Sequence, residues 1–142
     1  MTGSVTDDDA RARFAAARVA RLATVGASGA PHLVPIVFAL AGDDLVYSAV
    51  DAKPKRHGRL RRLANIAHES RVSLLADHYE EDWTQLWWVR ADGRARVLPD
   101  APEALAALAG KYPQYRRTPP PGPFLVIEVG RWSAWTGGPA DH

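Results

Sequence analysis

The chain has 142 residues, of which 46% are hydrophobic and 24% are charged, enough for one globular domain with one buried core. It contains no cysteine, which excludes disulfides, thiolate metal sites, iron–sulfur clusters and cysteine nucleophiles. It shows no long uncharged apolar run and no N-terminal signal pattern, so we expect a cytoplasmic protein without membrane insertion.

The formal net charge of +2 conceals one strongly basic segment. Residues 53–62 hold two lysines and four arginines and no acidic residue. A local basic patch on a nearly neutral domain favours a small anionic ligand over a long nucleic-acid track. We therefore expect a small-molecule ligand and no nucleic-acid partner.

The first half of the chain predicts a helix followed by three strands. Thr6 is typical of an N-cap and precedes a short helix over 10–18. Residues 19–25 and 32–40 predict a hairpin, and a further strand follows over 45–50. Pro35 has no amide hydrogen for a ladder, which indicates an edge strand or a bulge. Because residues 32–40 are apolar on both faces, we expect both faces to be covered, as in a barrel wall that also meets a partner.

The second half alternates helices and strands. The pattern predicts helices over 58–69 and 102–109, strands over 71–79, 83–90 and 94–98, and a last strand over 124–135. Residues 112–123 contain five prolines and predict an irregular segment. This order indicates an α+β, mainly β fold, a closed or split antiparallel barrel with short flanking helices. We expect one domain over 1–142, with 1–8 and 137–142 flexible.

Several segments, taken in order, resemble one known family. They are VARLATV at 19–25, GAPHLVP at 29–35, LVYS at 45–48, RVSLL at 71–75 and GRARV at 93–97. Each alone is ordinary strand sequence, but their order and spacing resemble the split-barrel flavin and deazaflavin oxidoreductases, the pyridoxamine-phosphate-oxidase-like proteins. KYPQY at 111–115, before the proline segment, looks most like the actinobacterial branch that uses coenzyme F420, a deazaflavin.

This resemblance implies a six-stranded antiparallel split barrel and a homodimer with two cofactor sites at its interface. The cofactor would do the redox chemistry and the protein would position it, so no catalytic residue is assigned. F420 is the expected cofactor and FMN the alternative. The acceptor would be a small organic molecule such as a tetrapyrrole, a quinone or an unsaturated ring compound.

The resemblance also implies a set of binding residues. The basic loop would hold the cofactor phosphate through Lys53, Lys55, Arg56 and Arg59, beside a helix start whose free N–H groups also favour an anion. Contacts to the cofactor chain would come from Ser48 and Ala49, and the wall along the ring system from Val34, Pro35 and Ile36. The partner chain would supply Trp83, Thr84 and Gln85. Tyr112 and Tyr115 would line a pocket roofed by the proline segment.

Structural interpretations of the same residues stay open. Ser48 is equally well an ordinary strand serine, and the tryptophans are equally well core or dimer packing. The histidines lack metal-ligand spacing, so we expect no metal. Three functions remain in competition: an F420-dependent oxidoreductase, an FMN-dependent oxidase or reductase on the same barrel, and a non-enzymatic deazaflavin or ligand carrier.

Overall fold

The computed structural model of the chain describes residues 5–50 and 57–138, and for residues 57–60 only the backbone. The helices are α1 (Asp7–Ala16), α2 (His57–His68), α3 (Pro102–Lys111) and α4 (Pro113–Arg117), with a 3₁₀ turn at Trp83–Gln85. The strands are β1 (Ala20–Val25), β2 (Pro31–Ile36), β3 (Ala39–Ala41), β4 (Leu45–Ala49), β5 (Arg71–His78), β6 (Trp87–Leu98) and β7 (Phe124–Thr136).

The seven strands form one antiparallel sheet in the order β2-β1-β5-β6-β7-β4-β3. Its two edge strands, β2 and β3, follow each other in the chain and are joined by Val37 and Phe38 alone. The Cα atoms of Ile36 and Ala39 therefore lie within about 11 Å of each other, since each residue spans at most about 3.6 Å. The sheet curls until its edges approach, but no ladder closes it.

The expectation of six strands is wrong. The strand predicted over 32–40 is two strands, whereas those predicted over 83–90 and 94–98 form the single strand β6. The backbone leaves the β1 ladder after Ile36 and enters the β4 ladder at Ala39. Residues 37–38 belong to neither ladder and are named the connector below. The edge position predicted from Pro35 is confirmed, since β2 is an edge strand.

The main core fills the inside of the curled sheet. Phe14 of α1 and Phe38 of the connector are fully buried there, with ring centroids 4.5 Å apart. The predicted N-cap is confirmed, since Thr6 Oγ1 accepts a hydrogen bond from the Asp9 amide at 3.1 Å. A second cluster forms outside the sheet, where α3 covers β3, β4 and β7 through Ala104 and Leu108.

Two expectations about local structure are corrected. Residues 113–117 form the short helix α4 inside the segment expected to be irregular, because Pro113 is tolerated in a first helical turn. Residues 83–85 are a 3₁₀ turn capped by Asp82 rather than the start of a strand. The outward face of β2 is exposed in the single chain, where Leu33 is 66% exposed, and its expected covering by a partner stays a prediction. None of the helices in the described part of the chain is long and apolar enough to cross a membrane.

A set of exposed hydrogen bonds at Asp44, which we name the clamp, holds α1 against the sheet. It lies at the end of β4 opposite the connector. Asp44, in the β3–β4 turn, accepts hydrogen bonds from Trp132 Nε1 at 2.9 Å and from Arg11 at 3.0 Å. The Trp132 hydrogen bond, followed by those of Arg11, holds the pKa of the Asp44 carboxyl below its usual value. The clamp fixes the helix that delivers Phe14 to the core.

Candidate functional site

A cleft of about 540 Å³ opens where the two edges of the sheet approach each other. It lies at the carboxyl ends of β2 and β4, with the connector between them. Its lining residues are Pro35, Ile36, Val37, Ala49, Val50, Arg62, Gln114, Tyr115, Thr118 and Pro119 to Pro121. The sheet thus supplies an apolar floor, and α4 with the following prolines supplies a roof.

The floor contains three of the predicted binding residues. Pro35 and Ile36, expected beside the ring system, and Ala49, expected beside the cofactor chain, all line the cleft. Their contacts with a cofactor stay predictions. Val34 instead packs against the main core and is not among the residues that line the cleft. Its predicted contact with a ligand stays a prediction.

Ser48 is buried, and its hydroxyl is used inside the protein. Its Oγ donates a hydrogen bond to the Val37 carbonyl at 2.8 Å. This bond ties the connector to β4 at a point where no ladder does so. The structural interpretation of Ser48 therefore has a definite partner, and its contact with a cofactor chain stays a prediction.

The roof begins at residues 111–112, which we name the α3–α4 junction. Tyr115 lines the cleft, whereas the Tyr112 phenol turns to the connector, with its oxygen 3.0 Å from the Phe38 carbonyl. Pro120 is buried and anchors the proline segment from below. Of the two tyrosines expected to line a pocket, the structure thus places one in it.

Arg62 is the cation that the structure places at the cleft. It is half-buried and extends from α2, one helical turn after Arg59. Lys53, Lys55 and Arg56 lie outside the described residues, as does the side chain of Arg59, so their predicted roles stay predictions. In sequence, the segment 51–56 joins Val50 of the floor to the first residue of α2.

A second cation, Lys111, is half-buried at the α3–α4 junction. Its Nζ donates to the Ala17 carbonyl at 2.7 Å and lies 3.8 Å from the centre of the Phe38 ring. Burial, and then the nearby Arg18 guanidinium, lowers the pKa of Lys111 to about 8. Burial also raises the pKa of Tyr112. A buried amine and a buried phenol therefore meet beside the connector.

Trp83, Thr84 and Gln85 lie away from the cleft of their own chain. Asp82 accepts hydrogen bonds from the Thr84 amide at 3.1 Å and from its hydroxyl at 2.7 Å, which shapes the 3₁₀ turn. The Trp83 ring is 66% exposed, and its Nε1 donates a hydrogen bond to the Tyr79 hydroxyl at 3.4 Å. Their expected place in a partner's site stays a prediction.

An apolar groove of about 690 Å³ crosses the outward face of the sheet near this turn. Its apolar lining includes Leu33, Leu75, Trp88 and Trp135, and its rim carries the ion pair Arg21–Asp77, at 3.9 Å. Leu33 and Pro35 are alternate residues of β2 and share one face, so the groove approaches the cleft along this strand. We refer to it as the sheet groove.

Sequence reasoning missed several residues of the cleft. Gln114, Thr118 and the lining role of Val37 depend on how α4 and the connector fold over each other, and no local pattern reveals it. Arg62 had a weak signal, since it belongs to the basic run and follows Arg59 by three residues, which places both on one side of a helix.

The pyridoxamine 5'-phosphate oxidase family model matches residues 6–136. That range contains nearly the whole described chain, with the cleft and the sheet groove. The chain therefore belongs to the pyridoxamine 5'-phosphate oxidase family.

One curated relative and two solved structures extend this comparison. The chain is 39% identical over 80 residues, 56% of its length, to a 5a,11a-dehydrotetracycline/5a,11a-dehydrooxytetracycline reductase of Streptomyces rimosus, and spans 54% of that protein. A FAD-binding protein of Mesorhizobium loti has 21% identity and a TM-score of 0.68, with 93% and 95% of the chains covered. A heme-binding protein of Mycobacterium smegmatis has 24% identity and a TM-score of 0.66, with 96% and 60% covered. Both structures share the fold.

Proposed function

We propose that the protein is an oxidoreductase that binds coenzyme F420 in the cleft and transfers a hydride between it and an organic acceptor. One observation carries the proposal: an apolar floor of Pro35, Ile36 and Ala49 faces a half-buried arginine, Arg62, in one opening. A flat heterocycle with a phosphorylated side chain requires both features in one place. The match to the family supports the same cofactor class.

The residues of the cleft fit a flavin-type group. When bound, a deazaflavin supplies hydride transfer at a ring carbon. Pro35 and Ile36 would exclude water from one side of the ring, and Tyr115 with the proline segment would cover the other. Arg62 would pair with a phosphate or a carboxylate. The protein's contribution is then binding, orientation and a dry surface.

The basic segment 53–62 favours F420 over FMN. F420 carries an acidic glutamate tail besides its phosphate, and the basic segment 53–62 holds more cations than one phosphate needs. The relative from Streptomyces rimosus is named a reductase of dehydro compounds, which supports a reductive direction and an unsaturated ring compound as acceptor.

A homodimer across the sheet groove completes this proposal. Leu33, Leu75 and Trp135 are all more than a third exposed on that face, a large apolar area for a single domain. A second copy would cover it and bring Trp83, Thr84 and Gln85 near the partner's cleft. The sedimentation coefficient of the purified protein tests this part.

The decisive experiment is a titration of the purified protein with F420 and with FMN, followed by fluorescence. We expect F420 to bind more tightly, and an Arg62→Gln variant to weaken binding about tenfold by loss of a charged hydrogen bond. The matched control is Arg96→Gln, since Arg96 is an exposed arginine that pairs with Glu128 at 3.3 Å outside the cleft.

Each other outcome selects an alternative. Tighter binding of FMN would replace F420 by the flavin on the same barrel. Tight binding of F420 without oxidation of the reduced form by any tetrapyrrole, quinone or unsaturated ring compound would indicate a carrier. Binding of neither cofactor would refute the proposal.

A further inference from the structure

We infer that Tyr112 is a positioning residue that holds the connector beneath the roof and thereby sets the width of the cleft. The effect on a bound cofactor rests on the function proposed above, whereas the effect on the connector rests on the geometry alone. Tyr112 does not line the cleft itself. Tyr112 would act on the cleft through Val37, which lines it.

The connector depends on partners outside the sheet. Phe38 is fully buried, and buried peptide groups need hydrogen bonds to remain stable. The Phe38 amide donates to the Tyr112 oxygen at 3.2 Å, and the Phe38 carbonyl lies 3.0 Å from the same oxygen. The phenol oxygen thus accepts from the amide of a residue that belongs to neither ladder, and its single hydrogen is shared between the Phe38 and Arg18 carbonyls.

The phenol is itself held in place from the opposite side. Its oxygen lies 2.9 Å from the Arg18 carbonyl, and the Arg18 guanidinium lies 4.8 Å from the centre of its ring. The same guanidinium donates a hydrogen bond to the Lys111 carbonyl at 3.1 Å, and Lys111 Nζ donates one to the Ala17 carbonyl. The α3–α4 junction is therefore tied to the chain between α1 and β1 in both directions.

This arrangement joins the two sides of the cleft. Tyr112 is both the C-cap of α3 and the N-cap of α4. The roof of the cleft therefore begins at the residue that holds the connector of the floor. Ser48 donates to the carbonyl of the Val37–Phe38 peptide from the β4 side, and Tyr112 accepts from the N–H of the same peptide on the roof side. Loss of the phenol oxygen would release the connector on the roof side only.

The first test measures cofactor affinity in a Tyr112→Phe variant against a Trp132→Phe control. The control keeps its ring beside Phe14 but loses the hydrogen bond to Asp44, at the opposite end of β4 from the cleft. We expect Tyr112→Phe to weaken binding of F420, or of FMN if that is the ligand, about tenfold. The control should bind as the wild type does, although both variants melt at a lower temperature. Equal affinities in the two variants would overturn the inference.

The second test needs no cofactor. Amide hydrogen exchange should become faster at Phe38 and across 114–118 in Tyr112→Phe, and stay unchanged there in Trp132→Phe. Unchanged exchange in Tyr112→Phe would overturn the inference, whether or not a cofactor binds. Failure of the wild type to bind any cofactor would count only against the proposed function. If Tyr112→Phe does not fold, Arg18→Met, which keeps the phenol but removes the guanidinium over its ring, is measured in the same way.

Discussion

Lys111 provides a prediction whose size follows from its surroundings. The amine is half-buried between the Phe38 ring and the backbone at Ala17, with Arg18 and Tyr112 as its titratable or charged neighbours. Burial lowers its pKa from the usual 10.5 to about 8. We expect Lys111→Met to be more stable than the wild type at neutral pH, because methionine fills the same space without a charge to desolvate.

The magnitude comes from linkage between protonation and folding. A pKa lowered from 10.5 to about 8 corresponds to about 3 kcal/mol at about 1.4 kcal/mol per pH unit. The side chain is half-exposed, and its hydrogen bond and the two rings favour the ammonium. We therefore expect the charge on Lys111 to destabilise the folded protein by only ~1 kcal/mol. Between pH 8 and 10.5 the unfolded chain binds more protons than the folded one, so the wild type gains stability as the pH rises.

The measurement is a set of thermal unfolding curves of wild type and Lys111→Met from pH 7 to 10. The variant should melt about 3 °C higher at pH 7, and the gap should close towards pH 10. Tyr112, whose pKa is raised, titrates in the opposite sense above pH 10, but both proteins contain it. A Lys111→Arg control stays charged throughout, so its difference from Lys111→Met should not depend on pH. A gap between wild type and Lys111→Met that stays constant from pH 7 to 10 would refute the reasoning.

Three further predictions concern other parts of the molecule. Gly122→Ala should lower the melting temperature by several degrees. Gly122 has φ +98°, and an added Cβ would lie 2.6 Å from the Pro99 carbonyl oxygen, so an unchanged melting temperature would contradict this. Asp44→Asn should destabilise the protein at pH 7 but less at pH 3. A carboxyl whose pKa is lowered on folding loses its contribution to stability as the pH falls below about 3.8, and unfolding curves at both pH values check this. Trp83→Ala should leave the melting temperature of a diluted monomer unchanged while weakening cofactor binding; normal binding would remove Trp83 from the partner's site.

Local physics made much of the fold predictable. The cap at Thr6, the strand positions and the edge position of Pro35 each depend on one residue and its near neighbours. Pro35, Ile36 and Ala49 of the cleft floor were predicted from the family resemblance rather than from local physics.

Contacts between distant residues were not predictable in this way. The sequence of 32–40 contains no sign of a break, because the division arises only when the chain leaves one edge of the sheet for the other. The pairing of Tyr112 with Phe38 joins residues 74 positions apart, which no periodic pattern encodes.

The amino-acid sequence by itself indicated a mainly β fold, most of its helix and strand segments and the basic run from Lys53 to Arg62. Periodicity, capping and proline chemistry are local, and they act before the chain folds. Tertiary structure decided which of these segments meet: it brought Arg62, Tyr115 and the prolines over an apolar floor and turned Tyr112 away from it. Such meetings follow from the curl of the whole sheet, which is a property of all seven strands together and of no single segment.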